Sequence, residues 1–507
     1  MVQLPPQQMA FADETGIGPV SMEWTREIYN GVELSHSMSE NDTGLQKTYT
    51  VDFDPKTAEV EPVVSYGTYV MGGDIMSDLV ADEERGGKKV VFGINGDAYD
   101  TTNGVPNGLT IRDGVLISTS KNGNDAVGFK ADGTAVFGNP SVSVTADLGN
   151  GNQLAIDQVN TERKLDTEGA YLLTEQFDKA TESSQAGVEV QLSVTTSGYT
   201  GVRIGGSFTA TVTAVNQVQA NADKNTTAIG KGNIVLAANS ASSKYAALSA
   251  LAPGQTVTVS AQNASSEVDW SEVQQAIGIF HTLVKNSVET SAVNDDDAVH
   301  PRTAIGIRAD GSLVLFQCDG RQPGFADGMT FAEMTNYLVN EKHCVNVFNL
   351  DGGGSSTITA TLPGDEDSTV LNRPSDGHER ANSNALLFIA SAPKQADSQT
   401  TKLHVYPNMD EGYGTIVALL ENGKMSFSVK GTDDNYYASE VDSSKVSFSA
   451  EGGIGEISPD GTLTAASGAH EGSVKATYAG TEATGSIDVK VTDSLTKLVA
   501  DRSSVSV

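Results

Sequence analysis

A mixed α+β fold over most of the chain, with a β-rich insertion and a small all-β sandwich after it, is what the sequence predicts. Three observations carry that prediction. Aromatic residues are only 6% of the 507, against 52 glycines and abundant Thr, Ser, Asn and Val, a composition suited to short strands and many turns. One strand–helix–strand run, between Ser312 and Leu350, stands apart in its periodicity. A polar stretch, Ser391 to Thr401, then separates this region from a tail of plain alternation. The boundaries read as 1–392 for the first unit, with the β-rich part at about 140–270. A linker follows at 393–401, then a sandwich at 402–492 and the start of a further repeat at 493–507. That repeat shows as Asp397-Ser398-Gln399-Thr400-Thr401-Lys402-Leu403 recurring as Asp493-Ser494-Leu495-Thr496-Lys497-Leu498.

In order, Thr48–Asp54 alternates as a strand and Pro55 turns the chain. Ile75–Glu84 suits a short helix with Asp74 as N-cap. Val90–Ile94 is an apolar run ending at Asn95-Gly96-Asp97-Ala98-Tyr99. Hairpins are expected over Leu109–Ile117 and Gly128–Val136, each around an Asp-Gly. Within the insertion, Val188–Val194, Val202–Val215 (broken at Gly205-Gly206), Asn233–Ala238 and Thr256–Ala261 read as strands. Asn160 and Arg163 are its one suggestive polar pair and read as structural. Ala276-Ile277-Gly278-Ile279-Phe280-His281 opens the second half of the unit. Pro301–Ile307 and Ser312–Gln317 then pair around Asp310-Gly311. Met329–Glu341 is a helix, with Thr330 as N-cap and Glu333 completing a capping box. It leads to a strand ending at Asp351. The β-α-β unit should be right-handed and parallel, placing Asp319 and Asp351 on one sheet edge, where ligands of such sheets bind. Ala385–Ile389 closes the unit. Met425–Val429, Val446–Ala450, Gly472–Tyr478 and Gly485–Val491 supply the sandwich.

Charge narrows the partners. Lys and Arg total 32 against 65 Asp and Glu, for a net charge of −33. Such a field repels nucleic acid and anionic membranes, and no apolar run reaches the roughly 18 residues of a membrane span. Met1–Pro6 has neither a basic n-region nor an apolar core, so no signal peptide is read there. The two cysteines, Cys318 and Cys344, read as small buried residues rather than a disulfide. Asn294-Asp295-Asp296-Asp297 reads as a solvated acidic loop. It lacks the EF-hand spacing, so a structural calcium is an open question, and no cofactor is expected.

The chemistry concentrates at Asn349-Leu350-Asp351-Gly352-Gly353-Gly354-Ser355-Ser356-Thr357. Glycines let backbone approach a ligand closely, and Ser355, Ser356 and Thr357 are donors to anionic oxygens. Alone, this stretch also fits a glycine-rich hairpin turn. In sequence with Asn95-Gly96, Pro301-Arg302-Thr303-Ala304-Ile305-Gly306, Asp319-Gly320-Arg321 and Asn372-Arg373-Pro374-Ser375-Asp376 it resembles the phosphodiester glycosidase family, across roughly residues 25–392. Where that family often has an aromatic pair after Asn-Gly, this chain has Asp97-Ala98-Tyr99. The tail, notably Gly455–Leu463, resembles bacterial Ig-like group 2 domains, and the pairing implies a secreted or cell-surface bacterial protein.

The resemblance implies hydrolysis of a sugar 1-phosphodiester, with N-acetylglucosamine the sugar best known for the family. The partner would be a glycan or glycoconjugate such as a surface glycopolymer. Arg302 and Arg321 would clamp phosphate oxygens, as guanidinium forks do, or else pair with the nearby aspartates. Gly352, Gly353 and Gly354 with Ser355, Ser356 and Thr357 would complete the cradle. Asp319 and Asp351 are the candidate nucleophile or base, with His281 as a further catalytic candidate. Asn95, Asn372 and Arg380 would orient sugar or phosphate. Two other readings stay open: a glycan-binding surface module without catalysis, and an enzyme that cuts the P–O bond.

Overall fold

Alternating apolar and polar residues, cut by Gly, Asn and Asp, make this chain mostly β. In the computed structural model 47% of residues are in strands and 8% in helices. It describes residues 17–120, 123–149, 151–164, 168–221, 223–224, 227–394, 399–409 and 414–494. Met1–Pro6, Asp397-Ser398 and, beyond Ser494, the expected further repeat lie outside them.

The site is positioned by an eight-stranded antiparallel sheet. Its order is Val20–Tyr29, Val32–Asn41, Gly44–Phe53, Leu313–Cys318, Arg302–Arg308, Cys344–Asn349, His281–Lys285 and Val288–Glu289. Leu313–Cys318 and Cys344–Asn349 run the same way, but they are not direct neighbours. The hairpin at Asp310-Gly311 lays Arg302–Arg308 antiparallel between them, so the expected parallel pairing becomes two antiparallel ones. The consequence for the site is unchanged. Arg302 lies opposite Cys318, and Asn349 lies opposite both Ala304 and His281. Two strand ends (before Asp319 and Asp351) and two strand starts (Arg302 and His281) therefore share one edge.

The connecting helix has its capping box, with Thr330 and Glu333 bonded reciprocally. It is α-helical only over Phe331–Asn336 and widens to a π turn at Tyr337–Glu341. The earlier helix spans Met76–Arg85, and its N-cap is Ile75, with no side-chain cap, in place of the expected Asp74. Asp74 instead pairs its backbone with Asn382. No helix among the described residues is long and apolar enough to cross a membrane.

A second sheet, ordered Thr369–Val370, Ile358–Ala360, Val90–Asn95, Ala385–Ala390 and Val60–Ser65, packs on the first. Rings of Phe53 and Phe92 meet at 4.9 Å, and those of Phe92 and Phe388 stack at 4.7 Å. Truncating one such ring to alanine costs about 3–5 kcal/mol. This packing presses the buried strand Val90–Asn95, with Asn95 at its end, against the first sheet.

The insertion is a separate eight-stranded sheet between Val142 and Asn263, and its core includes flanking residues such as Leu109, Ile111, Trp270 and Val273. Its long strand begins at Ser207, after Gly205 turns with φ +82°. Residues 402–492 form two further sheets that share one core around Phe427, Leu463, Val474 and Ile487. That unit is held against the first sheet. Arg26 is buried, lies 4.2 Å from the centre of the Tyr406 ring, and donates to the carbonyls of Val405 and Gly414.

Arg163 proves to be half of a fully buried ion pair, its Nη2 2.7 Å from Glu189. Removing one partner strands a charge in low dielectric. We expect Glu189→Ala to destabilise the insertion by about 3–5 kcal/mol, read by urea unfolding through Trp270 in its core. A loss under about 1 kcal/mol would show a solvent-exposed pair instead.

Candidate functional site

Asn95 brings the separate segments together. Its Nδ2 donates to the Asp351 carbonyl at 2.8 Å, and its Oδ1 accepts from Thr303 Oγ1 at 2.8 Å and the Thr357 amide at 3.0 Å. The Asp351 amide in turn donates to the Gly96 carbonyl. Asn372 works the same way one layer over. Its Nδ2 donates to Asp319 Oδ1 at 3.0 Å and to the Ser356 carbonyl, and its Oδ1 accepts from the Ile358 amide. Both carboxamides are buried and spent on the protein.

The two aspartates differ sharply. Asp319 is 1% exposed and accepts from Asn372, Gln317 and the Arg373 amide. Burial pushes its carboxyl up to about 6, opposed by those bonds and by Lys47. Asp351 is only partly buried, and the Gly352 amide donates to its Oδ1 at 3.0 Å. Burial raises this carboxyl too, while Ser355, the Gly352 amide and Arg380 favour the charged form. The Ser355 hydroxyl is buried and makes no hydrogen bond of good geometry. Of the other two hydroxyls, Ser356 accepts from Thr303, and Thr357 donates to the Ser355 carbonyl.

The cations divide into two groups. Arg302 points away from the glycine turn. It is 5% exposed, donates to the carbonyls of Met329 and Ala298, pairs with Asp296 at 3.0 Å, and lies 4.2 Å from the Phe331 ring centre. The acidic loop thus has a use the sequence did not suggest: Asp296 neutralises a buried arginine. His281 belongs to this cluster, its ring 5.4 Å from Phe331, with burial lowering its proton affinity. Arg321 and Arg380 face the glycine turn itself. A Cβ on Gly353 would come 2.8 Å from Arg321 Nη1, and one on Gly354 would overlap Arg380 Nη2 and Asp376 Oδ2. A Cβ at either position would push these side-chain ends aside, and at Gly353, with φ +64°, the backbone conformation itself favours glycine. Arg380 keeps Asp376 as its partner at 2.7 Å.

Two contributors escaped the sequence reading. Asp376 stands four residues before Arg380, a spacing that was legible. His300 gave no signal beyond its place before Pro301. Its Nδ1 lies 3.2 Å from Arg321 Nε. Among the described residues, no group of three or more His, Cys, Asp or Glu is placed to hold a metal ion, and Cys318 and Cys344 are free and buried.

This edge gathers two carboxylates, Asp351 and Asp376, and two guanidiniums, Arg321 and Arg380, about a glycine turn. Residues 202–389 match the family model for phosphodiester glycosidases. That stretch leaves out Asn95 and the first three strands of the central sheet. The chain is 40% identical over 110 residues to the SPbeta prophage-derived uncharacterized protein YomE of Bacillus subtilis (strain 168), covering 21% of this chain and 16% of that one. It is 38% identical over 80 residues to the N-acetylglucosamine-1-phosphodiester alpha-N-acetylglucosaminidase of Homo sapiens, covering 16% and 14% respectively. The aligned stretches are thus under a fifth of either relative's length. In fold, a hypothetical protein from Synechocystis superposes with a TM-score of 0.57 at 18% identity, over 73% of this chain and 64% of that one.

A carboxyl that binds its proton more tightly in the folded than in the unfolded chain subtracts stability as pH rises. For Asp319 the loss runs from about pH 4, its ordinary value, through about pH 6, and totals about 3 kcal/mol. Asp319→Asn should remove that slope from a plot of unfolding free energy against pH. An unchanged slope would place the proton elsewhere.

Proposed function

We propose that the chain hydrolyses a glycosyl-1-phosphodiester bond, with Asp351 facing the anomeric carbon and Arg321 and Arg380 gripping the phosphate. The observation that carries this reading is the placing of both guanidiniums against Gly353 and Gly354, next to Asp351, an aspartate of the edge that no arginine pairs with directly among the described residues. Arginine forks make paired, charge-assisted bonds to phosphate oxygens. They are the local exception in a molecule of net charge −33. The matches to phosphodiester glycosidases support the same chemistry.

The parts divide naturally. A phosphate monoester is a good leaving group, so stabilising its charge matters more than protonating it, and the two guanidiniums serve that need. The carboxylate of Asp351 stabilises an oxocarbenium-like centre, or attacks it. Asp319, buried and triply bonded, acts as an internal tie. Arg302 and His281 support the edge from the Phe331 side. The substrate in this reading is a sugar-1-phosphate-linked glycan or surface glycopolymer. Secretion or cell-surface display, and an Ig-like identity for the sandwich at 402–492, belong to the same proposal, supported by the sequence resemblance and by the two-sheet packing of that unit.

The test is kinetic. Asp351→Asn should lower kcat for a sugar-1-phosphodiester about a thousandfold with KM little changed. Arg321→Ala should raise KM about tenfold or more, since it removes charge-assisted bonds to the bound ligand. Full turnover by Asp351→Asn would sink the assignment.

A further inference from the structure

The chain has a device for aiming Arg321 that none of the family matches describes, and it deepens the anion-gripping reading on which it rests. Arg321 is exposed, and its backbone stands in the left-handed region at φ +58°. An exposed arginine on such a turn loses substantial rotamer freedom when it is fixed in one direction, and something must offset that loss. Its backbone amide is anchored on the Asp327 carbonyl at 2.9 Å. Its side chain meets His300 Nδ1 through Nε at 3.2 Å, while Nη1 and Nη2 lie along Gly353.

The His300 backbone is anchored. Its amide and carbonyl both bond to Met329, at 3.2 and 2.9 Å. A Cβ on Gly328 would come 2.6 Å from the His300 carbonyl carbon, and one on Gly320 would come 2.7 Å from the Pro301 nitrogen. Two glycines thus let backbone close directly on the His300-Pro301 link. The backbone that carries the imidazole is held on both sides, and the Arg321 guanidinium bonds to the ring at Nδ1.

We infer that His300 is the positioning residue for Arg321: neutral imidazole accepts from Arg321 Nε and holds the guanidinium toward the glycine turn, and protonation of Nδ1 releases it and weakens anion binding. An imidazolium has no acceptor, so the bond exists in only one charge state. The groups facing His300 are Arg321 from its own turn, Arg302 from the neighbouring strand, Asp296 from the acidic loop and the buried Cys318 thiol, whose Sγ lies 3.8 Å from the His300 carbonyl. Burial and then the two arginines disfavour the imidazolium, with a hydrogen bond to the Val299 backbone and then Asp296 opposing them. The acceptor form therefore prevails near neutrality and gives way in acid.

The first measurement does not depend on any ligand. Nitrogen NMR of the imidazoles, with His300→Gln used to assign the signal, should show His300 Nδ1 as an unprotonated acceptor. Arg321→Ala should move its titration toward the ordinary histidine range. A protonated Nδ1, or a titration unmoved by Arg321→Ala, would overturn the proposal whatever the site binds. The second measurement uses sulfate, whose charge is constant over the range. Wild-type affinity should fall about tenfold between roughly pH 8 and pH 5. His300→Gln, which keeps a fixed acceptor oxygen, should retain the affinity found at high pH and lose the part of the fall that His300 causes. His300→Ala should bind weakly throughout. Identical pH dependence in wild type and His300→Gln, or tighter sulfate binding on His300 protonation, would overturn it. Coupling by NMR without sulfate competing against the phosphodiester substrate would uphold the positioning by His300 and sink the anion-gripping reading instead.

Discussion

One buried carboxamide holds the arrangement together. Asn95 ends a strand of the second sheet and bonds simultaneously to Thr303, Thr357 and Asp351, which belong to the first sheet and the turn beyond it. The two sheets press together without direction, as apolar surfaces do. What sets their register at the site is this set of three hydrogen bonds, each in a place where an unmade bond is costly. Because the Asp351 carbonyl is fixed on one side and its amide on the other, its carboxylate has a defined direction. Everything attributed to that carboxylate inherits the geometry of Asn95.

Charge explains why neighbouring arginines have different fates. Arg302 sits inside the fold, and a buried guanidinium is tolerable only with an anion and carbonyl acceptors around it. Asp296, Met329 and Ala298 provide them. Arg321 and Arg380 are at the rim, where water screens them and little is lost by leaving hydrogen-bonding capacity open to a ligand. Their backs are occupied, by His300 and Asp376 respectively. The glycine turn lies between them, and a side chain there would displace the guanidiniums from where they stand.

Much of this was legible in the residues, and the failures have physical reasons. Apolar runs ending at Asp319 and Asp351 marked a common edge, since strand ends gather where the sheet ends. The capping box at Thr330 and Glu333 was read correctly because it is local chemistry. Asp74 was not, because its backbone is claimed by Asn382, some three hundred residues later in the chain. The expected parallel pairing does not form, for a similar reason. Nothing in the 313–349 segment says that the preceding strand will slide between its two ends. Arg302 and Arg321 look equivalent in sequence, and only burial separates a structural guanidinium from an available one. His300 was invisible, because its meaning lies in a single ring nitrogen facing an arginine on a left-handed turn.

Hydrolysis of a glycosyl phosphodiester in oxygen-18 water tests the central claim most directly, because it reports which bond breaks. If Asp351 addresses the anomeric carbon while the guanidiniums hold the leaving phosphate, the label enters the released sugar and the phosphate carries none. Label in the phosphate would contradict the account, placing attack at phosphorus. Tight binding with neither product released would contradict it as well, leaving a binding site where we describe a catalytic one.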